Sequence, residues 1–548
     1  MNRLFIFCLM LIAVASKAQS TARSIVYEVL ENGKVLPNRS IRLKCSAEVA
    51  LISNPNAVEQ LSIDYIGRKT IKSNTLMNEK YTVFTKFEEL PKPQVTPLKD
   101  TILGYPCQKV TYDLFSNRLE VWYTTAAMVK GCPSISFVPE NGLVLKYVVN
   151  ENRTIRAVST TLIDDQLALP TDLGEVVSEA KYAALQIKSR YTVIPVFSNQ
   201  QINYELSIQN PAPNRLDTTY RYSKGNIILK KIKLPKNSKK GSLFVSLTER
   251  SNGDAYDRVG SVFTFRPSDS LTILDAFEKG VLVLPTVVDN GGQRYQGIVP
   301  SGQYQPVVEL MRFFTPFGVG HFNNKRVIEG YQWAETASYK QEITALVPSD
   351  QDEIWIGVYI GNYDKGGHSV SLELDFYPDP EATDAKKWIK PIFNTVNILE
   401  AEEQQYGRIF QKDTLETECF IPDSLERLQL LFTTTGHGGW GQGDEFVPKR
   451  NQLFIDNQLV FEHTPWRTDC GAYRLSNPAS GNFPDGLSSS DLSRSNWCPG
   501  TSTPPFVIPL PRLAKGKHKV KLVIDQGPDE GTSFSHWSVS GVLIGNLK

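Results

Sequence analysis

Glu353-Ile354-Trp355-Ile356-Gly357-Val358-Tyr359 has the length of an ordinary sandwich strand, and it has counterparts along most of the chain. Gly225-Asn226-Ile227-Ile228-Leu229 and Ser242-Leu243-Phe244-Val245-Ser246-Leu247 precede it, and His518-Lys519-Val520-Lys521-Leu522-Val523-Ile524 follows. From about residue 203 onward such runs dominate, and a Pro-containing break over residues 377–391 divides them into halves of similar size. Two consecutive β-sandwiches are the natural reading.

Upstream, residues 22–161 carry shorter β-rich runs separated by Pro, Gly and Asn clusters, among them Lys80-Tyr81-Thr82-Val83-Phe84-Thr85 and Leu119-Glu120-Val121-Trp122-Tyr123-Thr124. This stretch reads as a β-rich domain of its own. Between it and the sandwiches, Leu173, Val176, Val177, Ala180, Ala183, Ala184 and Ile187 recur at helical spacing, with Asp172 and Glu175 placed as a capping pair. They predict one linker helix. A chain of 548 residues is too long for one core. The expected organisation is a signal peptide (1–18), a β-rich amino-terminal domain (19–165), a linker with a helix (166–200) and two sandwiches (201–384 and 385–548).

The signal peptide rests on basic Arg3, an apolar stretch from Leu4 to Ala15 and the small-x-small site Ser16-Lys17-Ala18. Cys8 sits inside the apolar stretch with no small-residue box around it, so no lipid anchor is expected. No later stretch reaches about 18 consecutive apolar residues, so no membrane span is expected. The mature chain is expected to be soluble and exported, periplasmic or secreted. Of 59 basic and 58 acidic residues, removal of Arg3 and Lys17 leaves 57 against 58, a formal charge of −1 that argues against nucleic acid as a partner. Six cysteines remain beyond the leader, an even number that suits disulfides in an exported chain. Their spacings match no zinc pattern.

The chemistry concentrates in residues 435–500. The loop Gly436-His437-Gly438-Gly439-Trp440-Gly441-Gln442-Gly443 delivers two acids, Asp444 and Glu445, and the stretch closes with Arg494-Ser495-Asn496-Trp497-Cys498-Pro499-Gly500. Glycines let a backbone turn sharply and approach a ligand, a carboxylate moves protons, and Trp offers a flat face to a sugar ring. The combination points to carbohydrate chemistry.

Within the amino-terminal part, Ile102-Leu103-Gly104-Tyr105-Pro106-Cys107-Gln108-Lys109-Val110 and Glu120-Val121-Trp122-Tyr123-Thr124 resemble the GLPGLI-type domains of Bacteroidetes exported proteins over about 60 residues. That likeness carries no catalytic assignment. The two sandwich halves resemble the jelly-roll domains of the peptide-N-glycosidase F family, amidases that release N-linked glycans from asparagine. The likeness spans about 340 residues and is dense in a few motifs. Asp254-Ala255-Tyr256-Asp257-Arg258 resembles the family's Asp-Glu-Trp-Asp-Arg, which puts Asp257 at the catalytic aspartate position. Arg312-Phe313-Phe314-Thr315-Pro316-Phe317 resembles a second family stretch, and the extra residues 268–305 between the two anchors are expected to form a loop or hairpin near the cleft. Gly443-Asp444-Glu445-Phe446-Val447 resembles the family's Cys-Ala-Glu-Trp-Cys, with Glu445 as the second acid and Gly443 and Val447 in place of the disulfide pair. Phe461-Glu462-His463, Asp469-Cys470-Gly471 and Arg494-Ser495-Asn496-Trp497-Cys498-Pro499-Gly500 also match. A further family glutamate has no equivalent in Val358-Tyr359-Ile360-Gly361-Asn362-Tyr363, where Asp364 is the nearest acid.

The resemblance implies a mainly β fold with two eight-stranded jelly rolls, and hydrolysis of the glycosylated asparagine amide in N-glycosylated peptides or proteins. Such hydrolysis needs an activated water, a stabilised oxyanion and a proton for the leaving amine. Two carboxylates and a fixed cation supply these without metal or cofactor. Asp257 and Glu445 are the expected catalytic pair, and Arg258 and Arg494 steady the carboxylates or the developing charge. Asp257, whose plain alternative is the acid of an ordinary turn, activates or positions the water, and Glu445, whose alternative is a solvated loop acid, holds sugar hydroxyls or the leaving nitrogen. His437 and Trp440 either contact sugar or pack the loop, and Trp497, next to Cys498, either binds ligand or packs against a disulfide. A Cys470–Cys498 disulfide is expected to hold Arg494 and Trp497 in place, and Cys107–Cys132 is a second candidate pair. Two rival readings are a glycoside hydrolase using the same two acids and a glycan-binding protein without catalysis.

Overall fold

Alternating burial along Ala22–Glu31 turns Ile25, Tyr27 and Val29 into a core, the period-two pattern of a strand with one face covered. The computed structural model describes residues 22–547 apart from 56, 205–207, 213, 236–239, 268, 349, 380, 382–385, 424, 440–441 and 482–486. The expected signal peptide and Trp440 therefore lie outside the described residues. The chain divides into two units, Met1–Arg190 and Tyr191–Lys548.

In the first unit a single 13-stranded sheet runs through the described residues. Ala22–Glu31 lies inside it, antiparallel to Ile41–Cys45 on one side and to Arg153–Ile163 on the other. Its core includes Leu43, Val110, Tyr112, Val121, Phe137 and Leu145. Cys45, Cys107 and Cys132 are buried free thiols in this unit, so the Cys107–Cys132 pair does not form. Each of the two is instead turned toward a nearby carbonyl: Cys107 Sγ lies 3.4 Å from Tyr105 O, and Cys132 Sγ lies 3.3 Å from Phe137 O.

The helix runs Glu179–Lys188, later than its apolar spacing suggests. Residues Glu175–Val176 pair instead in parallel with Glu79–Lys86, and the Val177 amide donates to Thr82 O at 2.9 Å. The open edge of Glu79–Lys86 takes these residues as a strand, and an edge with unpaired backbone groups outweighs local helical periodicity. Ser178, not Asp172, caps the helix by accepting from the Lys181 amide. Asp172 pairs with Lys80 and Glu175 with Lys181. The helix packs onto the sheet through fully buried Tyr182, whose hydroxyl donates to Glu59 at 2.9 Å.

The second unit holds two sandwiches. In the first, the order Thr192–Ile202, His368–Pro378, Gly241–Ser251, Ala337–Glu342 faces a sheet of Thr219–Tyr222, Ile227–Lys233, Glu353–Ile360, Val259–Phe265 and Val308–Phe314. Val196, Leu243 and Leu372 from one sheet and Ile228, Val262 and Leu310 from the other form their common core. In the second, Lys386–Asn394, His536–Leu547, Leu425–His437 and Phe506–Pro509 face Leu415–Ile421, Gly516–Ile524, Asn451–Ile455 and Gln458–His463. Pro391, inside the expected break, sits within a strand at a bulge, where its missing N–H is tolerated.

The sandwiches interlock. One apolar cluster joins Phe263 and Trp355 of the first to Phe393, Phe432 and Trp537 of the second. Ser502–Thr503 adds to the edge of Val308–Phe314. Fully buried Arg312 binds Glu309 through two hydrogen bonds and donates to Thr435 Oγ1 at 3.0 Å and to Ser538 O in the second sandwich. A buried charge needs such complete pairing. The segment 268–305 holds a helix as well as a hairpin. Ile273–Lys279 starts at a Thr272–Asp275 capping box, and Thr286–Val288 pairs with Arg294–Gln296.

Candidate active site

The strand Gly241–Ser251 ends in a turn tied by Ser251, whose hydroxyl donates to Asp254 O at 2.6 Å, and by the Tyr256 amide donating to Asp254 Oδ1 at 3.0 Å. The Arg258 amide then donates to Thr315 Oγ1, and the Thr315 amide returns to Arg258 O. Asp257 is thereby fixed just before Val259–Phe265, at the end of the first sandwich that meets the second.

From the second sandwich, Leu425–His437 leads into the glycine loop. A Cβ on Gly438, at φ +84°, would lie 2.0 Å from Phe534 O, and one on Gly443 would lie 2.2 Å from Gly438 O. The loop folds back on itself at a distance only glycine permits. It delivers Asp444 and Glu445 to opposite tasks. Asp444 turns inward, accepting from Trp537 Nε1 at 2.7 Å and from the Gly527 amide at 3.0 Å. Glu445 turns toward Asp257.

Arg494 joins the two acids. Its Nε donates to Glu445 Oε1 at 2.8 Å, and its Nη2 lies 3.5 Å from Asp257 Oδ2. The guanidinium is 1% exposed, while the two carboxylates keep 16% (Asp257) and 17% (Glu445), enough to face a ligand. Ser489 and Leu492 carbonyls accept from Nη1, and the Phe446 and Trp497 rings flank the guanidinium. Backbone pairing of Arg494 with Arg467 and the Cys470–Cys498 disulfide hold this strand of chain.

Burial pushes the Asp257 carboxyl up to about 7; Arg494 opposes the shift and Glu445 adds to it. Burial also raises Glu445, again opposed by Arg494. One cation cannot balance two desolvated carboxylates, so the pair holds a proton near neutrality.

The remaining expected residues are placed as follows. Arg258 lines the same cavity, but its partner is Asp254, at 2.7 and 3.2 Å, not Asp257. Behind Asp254 stands buried His368, 3.5 Å from it and 2.7 Å from Glu249. Burial acts against both charges, yet the contacts outweigh it, holding Asp254 at about 2 and raising His368 to about 9. His437 and Trp497 lie in the cavity wall and are almost wholly buried. His437 Nε2 is 2.8 Å from Thr435 Oγ1, Trp497 Nε1 donates to Gly436 O, and the Trp497 ring stacks on Phe314 at 4.3 Å. Burial and the nearby His536 hold His437 well below the usual histidine range, in its neutral form.

Asp364 has another use: its Oδ1 accepts from the Gly366 and Gly367 amides and shapes a turn. The third acid in the cavity is Glu400, which sequence reasoning missed. It accepts from Tyr363 Oη at 2.7 Å, Tyr359 Oη lies 3.5 Å away, and burial raises its carboxyl against these bonds. Glu400 comes from a short 3-10 turn, Glu400–Glu402, beside two further acids, and nothing local sets it apart from them. The cavity encloses about 210 Å³, also lined by Tyr359, Asn397, Phe534 and His536. Among the described residues no group of three or more His, Cys, Asp or Glu is arranged to hold a metal.

Residues 193–376 match the family model described as peptide-N-glycosidase F, N terminal, and residues 405–544 match its C-terminal counterpart. Residues 26–179 match the model described as N-glycanase peptide, N-terminal domain. A solved structure of PNGF-II in space group P21 is 40% identical, aligns over 96% of this chain and 100% of its own, and superposes with a TM-score of 0.87. The chain belongs to the peptide-N-glycosidase F family. The C2 crystal form of PNGF-II gives the same identity with 98% of its own chain covered and a TM-score of 0.81. The amino-terminal unit thus has its counterpart in a member of the peptide-N-glycosidase F family, which is more specific than the GLPGLI likeness. PNGase F, a glycosylasparaginase from Flavobacterium meningosepticum, is 15% identical over 65% of this chain and 96% of its own, with a TM-score of 0.45. No curated protein matches the chain.

Proposed function

We infer that the chain is a peptide-N4-(N-acetyl-β-glucosaminyl)asparagine amidase, with Asp257, Glu445 and Arg494 as its reacting centre. Within a family of N-glycan amidases, the observation that carries this reading is one buried guanidinium shared by two partly exposed carboxylates in a cavity between two sandwiches. Asp257, when ionised, takes a proton from water, whose oxygen then bonds to the side-chain carbonyl carbon of the glycosylated asparagine. Arg258, which lines the cavity, faces the oxyanion that forms, and Arg494 steadies the two carboxylates from behind them. The C–N bond breaks, the nitrogen leaves with a proton from the Asp257–Glu445 pair as a glycosylamine, and the peptide keeps an aspartate. Glu445 and Glu400 are placed to hold the leaving nitrogen and sugar hydroxyls. His437 and Trp497 support the sugar side through the wall they form.

The substrate class is N-glycosylated peptide or protein. Export is supported by the Cys470–Cys498 disulfide, a bond of oxidising compartments, and no helix among the described residues is long and apolar enough to cross a membrane.

Mass spectrometry of a denatured glycopeptide tests the assignment. The wild type is expected to convert the glycosylated Asn to Asp with the glycan released intact, and Asp257→Asn is expected to lower that rate by about 10²- to 10⁴-fold. A sugar stub left on the peptide would indicate a glycoside hydrolase, and an untouched peptide a binding protein. Near wild-type activity in Asp257→Asn would remove Asp257 from the chemistry.

A further inference from the structure

A second and larger open space lies beside the catalytic cavity. It measures about 710 Å³, within the roughly 300–1,000 Å³ of ordinary ligand sites, and shares Tyr363 and Glu400 with the cavity as a common wall. The hairpin Thr286–Val288/Arg294–Gln296 contributes Asp289, Gln293 and Tyr295, and the segment that follows Glu400 contributes Glu403, Gln405, Arg408, Gln411 and Lys412.

The groove is preformed. Asp289 Oδ1 accepts from the Gly291 and Gln293 amides at 2.8 and 2.9 Å, and its Oδ2 accepts from Tyr295 Oη at 3.0 Å. The Asn290 amide reaches across to Asp413 at 3.1 Å, the Gln296 amide to Gln404 at 3.1 Å, and Tyr406 Oη back to Gln296 O at 2.6 Å. Arg408 is fixed by Asp529 and lies over the ring of Phe534, which itself lines the catalytic cavity.

The lining is made of planar amides, carboxylates and a guanidinium, the groups that match neighbouring hydroxyls two at a time. Tyr363, 55% exposed at the junction, offers a flat face to a pyranose ring. Acids and bases are mixed along the walls, which suits a neutral, hydroxyl-rich ligand better than a charged polymer or the apolar side chains of a peptide.

We propose that this groove is an outer-glycan subsite, holding the part of the N-glycan remote from the amide that is cleaved at Asp257 and Glu445. The proposal rests on the amidase reading above. The segment 268–305 thereby acts in specificity, setting how strongly a long glycan is preferred over a short one.

The test compares wild type with Gln293→Ala/Gln405→Ala, two exposed side chains outside the reacting centre. Substrates are glycopeptides carrying a full mannose-type glycan or its two-sugar stub, each on a short and a long peptide. The variant is expected to raise KM for the full glycan about tenfold, the loss of one or two hydrogen bonds, with kcat and the stub's KM unchanged. Calorimetry with the free mannose-type oligosaccharide is expected to show the same weakening. Equal KM values and equal oligosaccharide binding in both proteins would overturn the proposal, and so would a KM change that follows peptide length instead of glycan length. If the wild type released no glycan, the amidase reading would fall while the calorimetric comparison still decided the groove.

Discussion

One buried guanidinium between two partly exposed carboxylates makes the site sensitive to pH. If Asp257 is the base, kcat/KM is expected to rise with pH to a plateau above about 7, where that carboxyl is ionised. Stability runs the other way. An unfolded aspartate titrates near about 3.9, so between that value and about 7 the folded chain binds more protons than the unfolded one and stability falls as pH rises. Asp257→Asn removes this term. The variant is expected to gain in Tm relative to wild type at pH 8 and to gain less at pH 5, as checked by thermal unfolding at both values. A variant less stable than wild type at pH 8 would show that pairing with Arg494 outweighs the burial of the charge. Asp257, Glu445 and Arg494 were each legible in short motifs. That Arg258 serves Asp254, and that Glu400 enters the cavity, was not, because both depend on contacts between separate segments.

At the scale of elements, the disulfide does the work for which the glycine loop has no covalent means. Gly443 and Val447 stand where the segment that the resemblance brings in has its two cysteines, and here the loop is held by close glycine packing and by Asp444 turned into the core. The Cys470–Cys498 bond, spanning 28 residues, fixes the neighbouring segment that carries Arg494. On the chain-entropy account a loop of this length stabilises by about 3–4 kcal/mol. The double variant Cys470→Ala/Cys498→Ala is expected to lose stability of that order in denaturant titration. An unchanged midpoint would mean that backbone pairing of Arg467 with Arg494 and the buried hydrogen bonds hold the segment without it. The helix start shows the limit of periodicity: residues 173–177 carry the apolar spacing of a helix, yet the edge of Glu79–Lys86 takes Glu175–Val176 as a strand.

At the scale of the molecule, every residue of the proposed reacting centre and of the adjoining groove belongs to Tyr191–Lys548, and Met1–Arg190 has a core of its own. A fragment beginning at Tyr191 is therefore expected to fold and to release glycans from short glycopeptides with a kcat close to that of the full chain, as measured by the same mass-spectrometric assay. Loss of kcat in a folded fragment would give the amino-terminal unit a part in the chemistry. Within the second unit the two sandwiches are not separable in this way, since Arg312 of one is satisfied by Thr435 and Ser538 of the other. Cutting between them would strip Arg312 of these two partners and leave it paired with Glu309 alone.

Strand-length runs and turn residues are local properties of a chain, and they were enough to determine a mainly β protein with two sandwiches; the acids Asp257 and Glu445 and the Cys470–Cys498 candidate pair came from the motifs that resemble the peptide-N-glycosidase F family. The tertiary structure alone decided that Arg494 binds both acids, that Asp444 is spent on Trp537 and Gly527, that Glu400 supplies the third carboxylate and that residues 268–305 wall a second groove. The reason is physical. Backbone conformation follows from neighbours a few residues away, whereas a charged side chain out of water takes its role from whichever distant segment satisfies it.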